Sequence, residues 1–425
     1  MNTIKNKMRF AFLPVLTVAV LLASCNKDVQ QFAIPASAPA LSNITLDSTL
    51  RATASDSLYY LLVKKASLGP TNFVNLFKAT TVSNQYTLFV PDNNGMKIFI
   101  NAISGGLVPL AAPDAVFAGF INAYIPVSSA FGLVAYNTIP QVYDTASIPN
   151  VFPNFPVGTL IFPAPSVPFL TFRTFPSKRT GILRVNTIPM TTPLNVFASN
   201  GIIQHVATMV APPAQSFLWN RINTDVAPST GLTYLKAAII RADSASNAGG
   251  TARPGVLESA LSNAAANLTV FAPTDTVFQG TLTALITQGL IGQGVPPATA
   301  SAQASFLAST PGVFSNPALY GTLTATTVRG IMVYHLFSNT AFTVNFPMTA
   351  TKYPTLLNSA VPSHPGVELT ATFTGAFVSA ATIKGLGNAM AANILIDATA
   401  APNGSSDQFY INGTLHKITQ ILFPQ

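Results

Sequence analysis

Cysteine is almost absent from this chain: Cys25 is the only one in 425 residues. A disulfide framework is therefore excluded, and stability must come from packed cores. Charge is also scarce. Charged residues make up 8% of the chain, with 21 basic against 13 acidic residues and a net charge of +8. The basic residues are scattered rather than clustered, so no nucleic-acid partner is expected. Histidine occurs four times (His205, His335, His364, His416), and no two sit at metal-ligand spacing. Glu258 and Glu368 are the only glutamates. There is no HExxH, no GxSxG and no phosphate-cradling glycine loop. A carboxylate pair assembled in space stays open, but the expectation is no catalytic residue, no metal, no cofactor and no enzyme activity. No apolar run reaches the ~20 residues of a membrane span. What the chain does have is 49% hydrophobic residues. Val, Ile, Thr and Phe are abundant, and 33 prolines and 26 glycines punctuate them. That composition predicts sheet-rich domains with some helix, and the length predicts at least two of them.

The amino-terminal end reads as an address. Lys5, Lys7 and Arg9 precede an apolar stretch from Phe10 to Leu22, followed by Ala23-Ser24-Cys25. A charged start, a short apolar core and small residues at a cut site make a secretory signal over residues 1–24. Leu22-Ala-Ser-Cys25 resembles the lipobox of bacterial lipoproteins. The resemblance implies cleavage after Ser24, a diacylglyceryl group on the Cys25 thiol and an acylated new amino terminus. Several acyl chains on one residue anchor a protein durably to a membrane. The alternative is an ordinary secretory signal that leaves a free thiol. Asn26-Lys27-Asp28 lacks an aspartate directly after the cysteine, the usual inner-membrane retention signal. The expected place is the outer membrane, with the cell surface as the first reading and the periplasmic face as the alternative. Residues 25–46 are rich in Ala, Pro and Ser from Gln30 onward, the composition of an extended, flexible tether.

Internal similarity supplies the next signal. Tyr86-Thr-Leu-Phe-Val-Pro91 recurs as Leu268-Thr-Val-Phe-Ala-Pro273, each an apolar strand stopped by proline. Thr274-Asp275 and Asp92-Asn93 then offer capping oxygens for a helix. Phe120–Ile125 parallels Gly330–His335, matching Tyr124 to Tyr334. Asn200-Gly201 parallels Asn412-Gly413, each ahead of a strand-like stretch ending at Pro212 or Pro424. The offsets are 182, 210 and 212 residues, which puts about 28 extra residues between the first two anchors of the second copy. They fall near Ile291–Asn316, a Gly, Pro, Ala and Ser-rich stretch that reads as a surface loop. The division is a divergent first domain over residues 47–213 and a second over 214–425.

These boxes resemble the fasciclin domain, and the second copy is closer to the pattern. Leu268–Phe278 is similar to its first box, Tyr334-His335 to its central pair and Asn412–Pro424 to its terminal strand. The resemblance implies an α+β fold: two tandem domains, each a wedge or sandwich of β-sheets with helices packed at one end. It also places Tyr334-His335 near segments implicated in cell adhesion. In the first copy Gln204 takes the position of His416, and His205 sits one step later, on the opposite face of a strand. Between Ile139 and Pro176 eight prolines exclude a central strand or a helix and suggest edge segments or a loop with aromatics available for contact.

Tyr334, His335, His416 and Asp275 are the candidate binding or structural residues, and Cys25 is the lipidation site. A His beside a Tyr at the end of an apolar helix most often makes buried hydrogen bonds. Asp275 reads as a helix cap and Trp219 as core. The expected function is a non-enzymatic surface lipoprotein that binds a protein or glycan in adhesion or matrix contact. The alternative is an accessory lipoprotein of an outer-membrane uptake or envelope-assembly system, binding polysaccharide or a partner protein.

Overall fold

A computed structural model describes residues 43–80, 85–161, 170–244, 254–397 and 404–425. Cys25, the signal segment and most of the tether lie outside the described residues. The fold is α+β. Two four-stranded sheets of the same topology organise it, one in each repeat. In the first repeat the order is Thr138–Ile139, Tyr86–Pro91, Gly201–Val206, Val196–Ala198. In the second it is Leu336–Phe337, Leu268–Pro273, Gly413–Ile418, Gln408–Tyr410. The two inner strands pair in parallel, in equivalent register: Tyr86 opposite Gly201 and Leu268 opposite Gly413. All four inner strands are buried along their whole length, as parallel strands covered on both faces must be.

Alternation assigns the two faces. Leu268, Val270, Ala272 and Leu415 point into a core made with the helices Leu218–Thr224, Thr233–Asp243 and Val256–Ser262. Phe271 and Ile418 point the other way, onto a second, antiparallel sheet through Val367, Leu369 and Ile383. Each repeat is thus a helical layer, a central sheet and a second sheet. In the second repeat that last sheet is the ladder Thr351–Tyr353, Val367–Thr374, Phe377–Lys384, Ala392–Asn393. In the first repeat it is broken into a two-stranded and a three-stranded piece.

The counterpart of Tyr334 is Tyr136, not Tyr124. Tyr124 ends the helix Asp114–Tyr124, is 73% exposed, and leads across Pro126 into another helix rather than a strand. Tyr136 ends the helix Val127–Tyr136 directly before Thr138–Ile139, as Tyr334 ends Ala325–Tyr334 before Leu336–Phe337. The middle offset is therefore 198, so the second repeat gains 16 residues before the tyrosine and 14 after it. Both tyrosines close apolar helices, and only the strand that follows tells them apart.

The stretch Ile291–Asn316 is not a surface loop. It holds the helix Pro297–Leu307 and a 3-10 turn over Pro311–Ser315. Ala304, Ala308, Val313 and Phe314 enter the helical core. Its small residues mimic loop composition but let this helix approach its neighbour Asp275–Gly292 closely.

The proline-rich segment of the first repeat does supply aromatics for contact, but to this chain's own second repeat. Phe152 packs among Phe337, Phe346 and Tyr353. Phe175 packs against Phe342 and Phe409. The two repeats share these clusters and belong to one compact unit.

Candidate functional site

The helix that ends at Tyr334 and the strand that carries His416 bring the conspicuous polar side chains of the second repeat to the sheet-side core. The Tyr334 hydroxyl donates to the Gly366 carbonyl at 2.6 Å and accepts from the Leu386 amide at 3.0 Å. Its ring meets His364 edge-on, centroids 5.1 Å apart. His364 in turn joins the Gly366 amide to the Pro424 carbonyl. His335 is fully enclosed. Its Nδ1 donates to the Ile331 carbonyl at 2.8 Å, and its Nε2 accepts from the Leu422 amide at 2.9 Å. That pattern fixes one neutral tautomer. Burial pushes its pKa down to about 4, against the weaker opposing pull of the Ile331 carbonyl.

His416 bridges in the same manner. Its Nδ1 accepts from the Asp407 amide at 3.1 Å and its Nε2 donates to the Ala341 carbonyl at 2.9 Å. Burial lowers its pKa, opposed by the Asp407 charge and the Ala341 carbonyl. Its ring stacks on Phe271 at 5.8 Å.

The first repeat answers both histidines with amides. Gln204 accepts from the Asn195 amide at 3.0 Å and donates to the Tyr143 carbonyl at 3.3 Å. Asn195 and Tyr143 are the counterparts of Asp407 and Ala341, so the bonding polarity is retained. Asn137 follows Tyr136 as His335 follows Tyr334. It donates to the Leu133 carbonyl and the Val210 carbonyl, both at 2.9 Å, reaching the counterparts of Ile331 and Leu422. An amide cannot act as a general base near neutral pH, yet it spans the same two positions, with the second bond reversed: His335 accepts from the Leu422 amide, whereas Asn137 donates to the Val210 carbonyl.

One step along the same strands, the side chains face the helices. His205 lies 3.2 Å from both Asp56 carboxylate oxygens and puts Nδ1 2.9 Å from the Pro193 carbonyl. Both ring nitrogens thus face acceptors, which favours the imidazolium. Burial lowers its pKa, but the Asp56 hydrogen bond and charge and the Pro193 carbonyl outweigh it, and the net shift is upward. In the second repeat Lys417 reaches Asp225 at 2.7 Å and the Thr230 carbonyl at 2.7 Å, and Arg221 joins the same carboxylate at 2.8 Å.

Asp275 does cap a helix, but not its own. Thr274 is the N-cap of Asp275–Gly292 and makes no side-chain bond there. The Asp275 carboxylate instead accepts from the Tyr234 amide at 2.9 Å and the Thr233 hydroxyl at 2.8 Å, capping the start of Thr233–Asp243. Asn93 does the same in the first repeat, accepting from the Leu58 amide at the start of Ser57–Ala66.

A second clasp escaped the reading of the sequence although its residues were in view. The Asn412 amide accepts from the Leu218 backbone N–H and donates to the Leu261 carbonyl. Asn200 accepts from the Leu46 N–H and donates to the Phe77 and Ala79 carbonyls. The glycine after each adopts φ of 156° or 148°, and a Cβ there would lie about 2 Å from a neighbouring strand carbonyl. Only glycine fits.

Tyr334, His335 and His416 therefore share one layer, while Asp275 belongs to the helical side. Trp219 is in the helical core. Among the described residues no group of three or more His, Cys, Asp or Glu converges as a metal site. A shallow groove of about 400 Å³ runs between the start of Asp275–Gly292 and the chain's carboxyl-terminal end. Thr276, Thr281, Asn388, Gln420 and Phe423 line it with hydroxyls, amides and one ring.

No protein-family model matches the chain, and no curated protein matches it significantly. Solved structures do give matches. One is a FAS1 domain pair from the insect cell adhesion molecule Fasciclin I, matched over 88% of this chain and 98% of that one. The identity is 11% and the TM-score 0.31. A likeness that loose carries no weight by itself. The internal repeat rests on this chain's own bonds.

Proposed function

We propose that the chain is a lipid-anchored surface protein of fasciclin type, which contacts a protein or glycan without chemistry, in adhesion or matrix attachment. Its expected anchor is Cys25, and its expected place is the outer face of an outer membrane. The observation that carries the non-enzymatic reading is the exchange of His416 for Gln204 with both hydrogen bonds retained. A position that accepts an amide serves as a bridge, and a bridge needs no proton transfer. Supporting it, both nitrogens of His335 and of His416 are occupied by backbone partners. The groove beside Thr276 and Thr281 offers the hydroxyl and amide groups that polar ligands such as glycans use.

The test has two arms. Mass spectrometry of the native protein should find a mature terminus at an acylated Cys25, and Cys25→Ser should leave the membrane fraction. The mature protein, displayed on glycan and matrix-protein arrays, should bind at least one class. Gly280→Trp should abolish that binding without lowering the Tm, because a Cβ at Gly280 meets nothing within 4 Å and the ring has the open groove to enter. Binding that survives Gly280→Trp would move the contact elsewhere. Turnover of an ester, glycoside or peptide lost in His335→Ala at unchanged stability would overturn the non-enzymatic reading.

A further inference from the structure

Among the described residues, a buried cation at the junction of the repeats has no counter-charge. Arg184 lies on the strand Ile182–Val185, directly opposite Ser177 on Pro176–Arg179. Residues directly opposite in an antiparallel pair share one face. That face docks on the second repeat: Ser177 Oγ donates to Asn345 Oδ1 at 2.8 Å, and Arg179 Nε donates to the Phe346 carbonyl at 3.2 Å. Arg184 is 0% exposed. Its Nη2 donates to the Ala376 carbonyl at 2.7 Å, and its guanidinium carbon sits 5.9 Å from the Phe373 ring centroid. Its Nε and Nη1 are buried with no hydrogen-bond partner, and so is Nδ2 of Asn345.

All three of these atoms are donors. No carboxylate among the described residues pairs with Arg184. Asp407, which reaches the turn that carries Asn345, is already committed to the amide and hydroxyl of Thr343. Burial depresses the Arg184 pKa, but a guanidinium keeps its charge. A buried charge with no opposite partner is costly. Water alone would relieve the hydrogen bonds but not the charge. We propose that Arg184 and Asn345 hold a small monovalent inorganic anion, of the halide class, between the two repeats. The ion would complete the junction that Phe152 and Phe175 make on the apolar side, and it is independent of any surface ligand.

The full mature chain in detergent provides the test, melted at constant ionic strength while chloride replaces gluconate. An anion that binds only the folded state raises the Tm saturably, here by about 2 °C. Arg184→Gln should lose that response. Asn345→Ala keeps the cation and should move the half-saturating chloride concentration upward by about tenfold. Crystals grown in bromide should show an anomalous peak within hydrogen-bond distance of Arg184 Nε or Nη1. A wild-type Tm indifferent to chloride overturns the proposal, as does an equal response in both variants. A bromide peak without the saturable shift would mark an adventitious ion only and overturn it too.

Discussion

Phe152 of the first repeat lies nearly parallel to Phe337 of the second, ring centroids 5.9 Å apart and planes 5° apart. Phe337 belongs to the edge strand of the second central sheet, so the first repeat completes a core that the second cannot close alone. Phe152→Ala should cost about 2–4 kcal/mol, below a fully enclosed phenylalanine because Phe152 is half-buried. Urea unfolding measures it. Residues 214–425 expressed alone should still melt cooperatively, at a lower Tm than the pair, because their helical and sheet cores are otherwise their own. A fragment that stays unfolded would make the pair a single folding unit.

His416→Gln copies the residue that the first repeat uses. It should cost under about 1 kcal/mol, whereas His416→Ala strands the Asp407 amide and the Ala341 carbonyl and should cost roughly 1–3 kcal/mol. Equal losses in the two variants would show that the ring's stacking on Phe271, rather than the bridge, is what the fold needs.

Stability should fall in mild acid. His335 has a folded pKa of about 4 against roughly 6.5 unfolded, so the unfolded chain binds more protons between those values. Its contribution is complete above about pH 6.5 and is lost as pH falls towards 4, about 3 kcal/mol in all. His416, lowered in the same direction, adds to the loss. His205 acts oppositely: its raised pKa contributes below about pH 6.5 and fades as pH rises through the folded value. Chemical denaturation from pH 4 to 8 should therefore show a slope on the acid side that flattens in His335→Asn.

Deleting residues 297–315 should unfold or severely destabilise the second repeat, since the segment delivers Val313 and Phe314 to the core. Phe314→Ala alone should cost about 3–5 kcal/mol by thermal or urea unfolding. A deletion that leaves the Tm unchanged would mean that the helix Pro297–Leu307 packs without consequence.

The sequence carried the order of the repeat because proline-stopped strands and an Asn-Gly turn are local signals. Tyr86–Pro91 and Leu268–Pro273 sit where those signals put them, in the α+β arrangement that the boxes implied; both terminal strands start after the Asn-Gly pair as expected but stop at Val206 and Ile418, short of Pro212 and Pro424. Tyr136 was missed because Tyr124 also ends an apolar helix, and the strand that distinguishes them is only two residues long. The helix Pro297–Leu307 was missed because alanine and serine suit a tightly packed helix and a loop equally. Asp275 was legible as a cap, but which helix it capped depended on a neighbour 41 residues away. The exchange of His335 for Asn137 became visible only once the tyrosines were matched correctly. Phe152 gave no signal of its partner, since contacts between repeats leave no period in a sequence.

The Asn200 clasp has a mechanical consequence. The first described helix begins at Leu46, and its leading amide is held by Asn200, while the Ser199 amide donates to the Ile44 carbonyl at 2.8 Å. A pull on the amino-terminal side therefore does not begin by peeling that helix away. The load enters at the turn before Gly201 and passes into six residues paired in parallel with Tyr86–Pro91. A force directed along those strands would load the bonds of the ladder together rather than open them one after another. If the chain is held at a surface through its amino-terminal tether, the Asn-Gly turn is the point where that tether is fastened to the most deeply covered part of the first repeat.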